Sequence, residues 1–148
     1  THPVAIILSR QNLTVLENSD PNKVDLGAYE VTNVTNPTHL IIATGSEVEL
    51  ALKVKEALDN DNICIKVISM PSQEIFLKQN IDYQNEILSL PYEKRISLEM
   101  LSTFGWARFA KHNIGVNEFG ISAPSNDAIK NAKFDLESII EKVKSLIE

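Results

Sequence analysis

The amino-acid sequence predicts an α/β protein, with a mainly parallel (mixed) five-stranded sheet flanked by helices in three layers. Short apolar runs such as residues 40–43 alternate along the chain with segments whose apolar side chains recur at helical spacing. This alternation is typical of βαβ units, in which right-handed crossovers connect parallel strands. The 148 residues are enough for one ordinary domain, and a hydrophobic content of 43% supports a packed core.

The first apolar run, residues 5–8, predicts a strand that is buried on both faces. Polar residues follow it at 9–12, among them Arg10, whose planar and permanently charged guanidinium matches a phosphate. Because ligands of open α/β sheets bind at the carboxyl ends of strands, this segment indicates either a binding site or a polar surface loop. The turn-rich cluster at 18–22 then predicts a linker or a domain boundary.

The next elements alternate between strand and helix. Residues 27–34 predict a short strand suited to a sheet edge, and residues 39–45 predict a buried strand that ends at a glycine. Ser46 and Glu49 form the signature of a capping box. Glu49 and Lys53, four residues apart, can also form an ion pair on the helix surface. The apolar residues of this helix form one stripe: Leu50, Ala51, Val54, Ala57 and Leu58.

The rest of the chain continues the pattern. In order, we predict a strand at 63–70, a short helix with Pro71 in its first turn, a further helical turn before Pro91, a strand at 95–100, a short or broken helix around Gly105 and a short strand within 113–120. A helix is then predicted from Pro124 and Ser125 to about Ala132, followed by an amphipathic helix that Asp135 can cap.

Composition excludes several classes of partner. The net charge of −6, without a basic cluster, argues against a nucleic-acid surface. No apolar stretch approaches the roughly 18 residues of a membrane span, and the N-terminus lacks the layout of a signal peptide. The single cysteine, Cys64, rules out an internal disulfide and fits a reducing compartment. Because the chain starts with Thr1 and almost inside a strand, we expect a fragment of a longer protein.

Few residues form a pattern that indicates a catalytic or binding site. The junction at 43–47 could face an anion at a helix N-terminus, although a tight turn with a helix cap explains it more simply. Glu99 and Glu118 lie near predicted strand ends, where an acid/base pair, salt bridges and helix caps are all open. Cys64, in mid-strand, indicates a buried inert thiol. No metal-ligand spacing relates the three histidines, which are His2, His39 and His112.

Five segments in order resemble the C-terminal part of transketolases: ILSRQNL at 7–13, GAYEV at 27–31, IIATGSEVELAL at 41–52, VISMPS at 67–72 and IGVNEFGISAP at 114–124. The resemblance implies that residues 1–22 are the tail end of a pyrimidine-binding domain with its linker. It implies that residues 23–148 are a transketolase C-terminal domain. It further implies that Arg10 binds the phosphate of a sugar substrate, and it assigns no catalytic, cofactor-binding or metal-binding residue to this chain.

The same resemblance implies what the intact protein does. It would be a cytoplasmic transferase of the pentose phosphate pathway that moves a two-carbon ketol unit from a ketose phosphate to an aldose phosphate. It would be a homodimer that uses thiamine diphosphate and a divalent metal, Mg or Ca. We expect the fragment alone to be inactive, to bind no cofactor and to support the other domains and the dimer. Two alternatives stay open: a C-terminal domain of another thiamine-diphosphate enzyme, such as deoxyxylulose-phosphate synthase, and a stand-alone regulatory module that binds a small molecule near Gly45 and Ser46.

Overall fold

A computed structural model describes Pro3, Ala5, Ile6, Leu8 and residues 12–147. At its centre lies a mixed sheet with the strand order β1-β3-β2-β4-β5. The strands are β1 (Tyr29–Glu30), β2 (His39–Ala43), β3 (Ile65–Ser69), β4 (Arg95–Glu99) and β5 (His112–Gly115). Strand β1 pairs antiparallel with β3, and every other pair of neighbours is parallel, which confirms the predicted mixed sheet and its short edge strand.

Helices connect the strands. The α-helices of the described residues are α1 (Glu47–Asp59), α2 (Gln73–Phe76), α3 (Ile81–Ile87), α4 (Ser125–Asn131) and α5 (Leu136–Ile147). Three short 3-10 helices supplement them at Pro21–Leu26, Tyr92–Lys94 and Trp106–Arg108. The element predicted around Gly105 is therefore a single 3-10 turn.

Two hydrophobic clusters cover the two faces of the sheet. On one face, Ile41 of β2 packs with α1 and α5, including Val54 and Val143. On the other face, Ile42 packs with the short helices, including Phe76 of α2 and Trp106. Because neighbouring residues of a strand point to opposite faces, β2 needs apolar side chains at consecutive positions to fill both clusters. This explains its continuous apolar run and confirms the three-layer arrangement.

The predicted capping box at the start of α1 is wrong. Ser46 is itself helical in conformation and accepts no hydrogen bond from the helix amides. Its hydroxyl donates to Glu47 Oε1 at 2.7 Å instead. The first amides are satisfied by the preceding turn, because Glu47 N donates to Thr44 O at 3.1 Å. The turn uses Gly45, whose φ is +54°, so backbone carbonyls take the place of the side-chain cap.

Two further helix starts can be compared with their predictions. Helix α2 begins two residues after Pro71, because Ser72 is extended and its hydroxyl accepts from Ile75 N at 3.3 Å. The expected position of proline in the first turn is therefore wrong. Asp135 does cap α5 as predicted, since its Oδ1 accepts from Ser138 N at 3.2 Å.

The predicted buried strand at residues 5–8 is not formed by the residues that the structure describes there. Ala5, Ile6 and Leu8 belong to no strand, and the side chains of Ile6 and Leu8 are about four-fifths exposed, at 77% and 80%. A strand buried on both faces needs a paired neighbour and two covering layers. The five strands of the described sheet pair among themselves between residues 29 and 115, and Ala5, Ile6 and Leu8 take no part in that pairing.

Candidate functional site at the carboxyl end of the sheet

The strand order places a topological switch point between β2 and β4. From β2 the chain continues through α1 to β3 on one side, whereas from β4 it continues to β5 on the other side. The loops that leave these two parallel strands therefore diverge at their carboxyl ends. Ligands of open α/β sheets usually bind at such a point, so the residues that follow Ala43 and Glu99 are the first place to search for a site.

Two carboxyl groups meet at this switch point. Glu47 starts α1 and Glu99 ends β4, and they are only 5% and 9% exposed. The two carboxyls are near enough for the negative charge of Glu47 to act on Glu99. Glu47 Oε1 accepts from Ser46 Oγ, and Glu99 Oε1 accepts from the amide of Leu101 at 3.3 Å. Within the described part of the chain, neither carboxyl forms an ion pair with a cation.

This environment changes the ionisation of Glu99. Burial, and secondly the negative charge of Glu47, raise the pKa of the Glu99 carboxyl to about 7. Near neutral pH Glu99 therefore exists partly as a carboxylic acid, which can donate a hydrogen bond to the Glu47 carboxylate. A group with such a pKa is suited to proton transfer. Glu99 is buried in this conformation, however, so its carboxyl faces the surrounding protein and not a substrate.

The loops beyond β4 and β5 are joined by hydrogen bonds. The Leu101 carbonyl accepts from Val116 N at 2.9 Å. Asn117 Oδ1 accepts from Ser102 Oγ at 3.2 Å and from Thr103 N at 3.0 Å. Close packing adds to these contacts, because a Cβ atom at Gly115 would lie 2.7 Å from the Leu101 carbonyl oxygen. Glu99 thus lies at the base of a connected pair of loops.

These two loops carry exposed apolar side chains, which we call the apolar end surface: Leu101, Phe104, Phe119 and Ile121. Phe104 is 92% exposed and Phe119 is fully exposed. Single exposed apolar residues are common, but large aromatic side chains on adjacent loops are typical of an interaction surface. This end of the sheet therefore combines a buried carboxyl pair with an apolar surface above it.

The predicted site residues are only partly brought together. Arg10 lies outside the described residues. Glu118 is exposed on the loop after β5 whereas Glu99 is buried, so the structure does not bring these two carboxyls together as an acid/base pair. The charge that acts on Glu99 is that of Glu47. Sequence reasoning missed Glu47, although its place directly after the β2–α1 turn was a usable signal. Cys64 is a free, half-buried thiol and is less enclosed than predicted, because it lies just before β3.

The described histidines lie at the opposite end of the sheet. His39 begins β2 and His112 begins β5. Burial lowers the pKa of His39, and the positive charges of Lys94 and His112 lower it further. Across the described residues, no group of three His, Cys, Asp or Glu side chains converges as a set of metal ligands. This part of the chain therefore does not fit a metal–diphosphate site.

Neither Glu47 nor Glu99 lines the two larger clefts described next. One, of about 580 Å³, lies between residues 17–20, β1 and α3 and is bordered by Lys66. The Lys66 ammonium is 3.3 Å from Glu30 Oε2 and donates to the Glu86 carbonyl at 3.1 Å, so its charge is already balanced. The other cleft, of about 520 Å³, lies between the loop after β5 and helices α4 and α5. No helix of the described residues has the length and apolar composition needed to cross a membrane.

Comparison with known proteins gives a consistent result. Residues 27–135 match the family model of the transketolase-like C-terminal domain. The transketolase of Bacillus subtilis strain 168 is 38% identical over 154 aligned residues, which cover 99% of this chain and 23% of that protein. A transketolase mutant of Pichia stipitis has a similar structure, with a TM-score of 0.87, 33% identity and coverage of 93% of this chain and 20% of that one. The transketolase of Leishmania mexicana gives 0.86 and 32%, with coverage of 93% and 20%.

Proposed function

Because this chain belongs to the transketolase family, we propose that it is the C-terminal part of an enzyme that transfers a two-carbon ketol unit from a ketose phosphate to an aldose phosphate. The chain spans less than a quarter of the length of the curated transketolases compared above, 23% of the Bacillus subtilis protein for example. Within such an enzyme, residues 1–22 would complete a pyrimidine-binding domain with its linker and residues 23–148 would form the C-terminal domain. The family match over residues 27–135 supports this division.

The role of the C-terminal domain is structural in this proposal. The observation that carries it is the apolar end surface, which exposes Phe104 and Phe119 to solvent although both are large aromatic residues. Burying such side chains against other domains is favourable, at about 25 cal/mol for each Å² removed from water. The surface thus suits contacts with the remaining domains of the same chain and support of a homodimer.

Substrate and cofactor contacts belong mainly to the rest of the protein in this proposal. Arg10 would bind the phosphate of the sugar substrate, as the family resemblance implies. Thiamine diphosphate supplies the group that carries the two-carbon unit, and a divalent metal, Mg or Ca, would hold its diphosphate. The described residues contribute no converging metal ligands, so we assign both groups to the other domains. The intact protein would accordingly be a cytoplasmic enzyme of the pentose phosphate pathway.

A domain exchange tests this proposal. Residues 23–148 replace the aligned segment of the Bacillus subtilis transketolase, and ketol transfer is measured with thiamine diphosphate and Mg²⁺. We expect kcat/KM within about tenfold of the parent enzyme, which corresponds to about 1.4 kcal/mol of transition-state stabilisation. A chimera that is folded by circular dichroism but inactive would refute the equivalence of the domains.

The isolated 148-residue chain provides the complementary measurement. We expect no ketol transfer, and in calorimetry no binding of thiamine diphosphate with Mg²⁺ tighter than about 1 mM, or about −4 kcal/mol. Transfer by the isolated chain would show that the structural role is wrong. Tight binding would place a cofactor site in this part of the protein.

A further inference from the structure

The cleft of about 520 Å³ between the loop after β5 and helices α4 and α5 plays no part in the function proposed above. We propose that this cleft binds a small organic phosphate, whose phosphate group accepts hydrogen bonds from Asn117, Lys133 and Lys142. All three residues line the cleft. Its volume lies within the range of about 300–1,000 Å³ that is typical of small-molecule sites.

The side-chain amide of Asn117 has a defined orientation. Its Oδ1 accepts from the backbone amide of Thr103 at 3.0 Å, from Thr103 Oγ1 at 3.1 Å and from Ser102 Oγ at 3.2 Å. Because a backbone N–H can only donate, the Asn117 atom that faces it is the amide oxygen. The three contacts use the oxygen alone, so the Nδ2 group of this cleft residue is available to donate to a ligand.

Two lysines bring positive charge to the cleft. Lys142 of α5 donates through Nζ to the Lys133 carbonyl oxygen at 3.3 Å, which holds its ammonium beside the turn after α4 and leaves two N–H groups for a ligand. The ion pairs of the described residues include neither lysine. Of the described residues that line the cleft, Glu118 is the one with a carboxylate, and it is exposed. The cleft therefore has a local excess of positive charge in a chain whose net charge is −6.

The class of ligand follows from this set of donors. One amide group and two ammonium groups line the same cleft, so the ligand has to be an anion that is rich in acceptor atoms. A phosphate group carries more negative charge than a carboxylate and has three strong acceptor oxygens. It can therefore accept a charge-assisted hydrogen bond from each lysine and a further bond from Asn117.

The walls of the cleft add an apolar component. Val116, Ala128 and Ala132 line it and are half-buried, so an organic group beside the phosphate can remove them further from water. Phe119 and Ile121 form another edge of the cleft. The site therefore adjoins the apolar end surface, and an organic phosphate should bind more tightly than inorganic phosphate.

The test is an NMR titration of the ¹⁵N-labelled 148-residue chain with phenyl phosphate, inorganic phosphate and phenol. Phenyl phosphate should shift the amide signals of residues 116–120 and 131–133 in a saturable way, with a Kd of about 1 mM or tighter. Inorganic phosphate should shift the same signals but bind about tenfold more weakly, because it has no apolar part. Phenol lacks the phosphate and should give no saturable shift. Equal affinity for the two phosphates, or saturable shifts with phenol, would contradict the proposed ligand class.

Two variants remove the donors while preserving the local structure. Lys133 has a φ of +51°, which glycine adopts readily, so Lys133→Gly keeps the turn and should weaken the binding of phenyl phosphate by about tenfold or more. Asn117→Asp keeps the oxygen that accepts from Thr103 and Ser102, but it replaces the free donor with a negative charge. We expect this variant to show no saturable binding.

Lys111→Gln is the matched control. It removes one positive charge at an exposed position that does not line the cleft, so the affinity for phenyl phosphate should stay as in the wild type. The proposal is overturned if Lys133→Gly and Asn117→Asp bind as the wild type does, or if Lys111→Gln weakens binding as much as they do. Because binding is measured on the isolated chain, these outcomes are independent of the domain exchange.

Discussion

At the scale of single residues, the buried ionisable side chains of Lys66 and Glu99 are accommodated in different ways. Lys66 of β3 is only 7% exposed, and its ammonium is surrounded by a carboxylate, a carbonyl and a hydroxyl. Glu99 of β4 is buried and lies near the negative charge of Glu47, and both effects raise its pKa to about 7, so it retains a proton partly near neutral pH. The same sheet therefore holds one charge by pairing it and another by neutralising it.

The first prediction concerns the pair of Lys66 and Glu30. Glu30→Gln should lower the free energy of unfolding by about 1–3 kcal/mol, because it leaves a buried ammonium with neutral partners only. The double variant Glu30→Gln with Lys66→Met should be no less stable than the single one, since the uncompensated charge is gone. Urea denaturation at pH 7 measures both.

The control for this prediction is another lysine–glutamate pair. Glu49→Gln breaks the Lys53 contact, where the lysine side chain is 54% exposed, and should cost less than about 0.5 kcal/mol. If both glutamine variants lose the same stability, burial does not distinguish the two pairs and the account of Lys66 is wrong.

The second prediction concerns Arg10 in the intact enzyme. An arginine cannot act as an acid or base at neutral pH, so its contribution to a phosphate site is charge and geometry. Arg10→Ala should lower kcat/KM for phosphorylated sugars by about ten- to a hundredfold, which corresponds to one charge-assisted contact of about 1.5–3 kcal/mol. Arg10→Lys should restore only part of this, because the two-pronged contact is lost.

An unphosphorylated acceptor is the control for Arg10. It offers no phosphate to the guanidinium, so its rate should change much less in Arg10→Ala than the rate of its phosphorylated counterpart. An equal loss on both substrates would mean that Arg10 maintains the architecture, and the phosphate assignment would be abandoned.

At the scale of elements, local patterns predicted what depends on local physics. The continuous apolar run of β2 was sufficient to predict a buried strand, and the spacing of Ile139 and Val143 was sufficient to predict the amphipathic helix α5. Both patterns involve residues that are close together in the chain. The influence of Glu47 on Glu99 could not be predicted in this way. It depends on the position of β2 beside β4 in the sheet. These two strands are not consecutive in the chain, so no short stretch of sequence indicates that they are neighbours.

The third prediction concerns the packing of α2 against the turn before β1. Gly27 has a φ of +80°, and a Cβ atom there would lie 2.2 Å from the backbone nitrogen of Phe76. Gly27→Ala should therefore lower the free energy of unfolding by about 3 kcal/mol or more, through backbone strain together with a collision that rigid backbone cannot relieve. Thermal and urea denaturation measure the loss.

Gly45→Ala separates the two causes. Gly45 also has a positive φ, of +54°, but no atom lies within 4 Å of an added Cβ. This variant should lose only the strain component, about 1–2 kcal/mol. Equal losses at Gly27 and Gly45 would show that the close approach of α2 contributes nothing.

At the scale of the whole molecule, the sheet has two unlike ends. The amino ends of the strands carry His39 and His112, which are partly buried, whereas the loops at the carboxyl ends expose Phe104 and Phe119. The exposed aromatic residues at the carboxyl end add apolar area that a partner could remove from water. Assembly of the complete protein is therefore expected to use the carboxyl end.

The last prediction tests that end directly. In the isolated chain, the double variant Phe104→Ser with Phe119→Ser should change the free energy of unfolding by less than about 0.5 kcal/mol, because both side chains already lie in solvent. Phe109→Ser is the matched control, since Phe109 is only 1% exposed and its loss should cost about 3–5 kcal/mol. In the domain-exchange enzyme, the double variant should lower both ketol transfer and the temperature of inactivation if, as proposed, this surface packs against the other domains. A double variant that leaves the exchanged enzyme as active and as stable as its parent would show that this protein assembles through a different face.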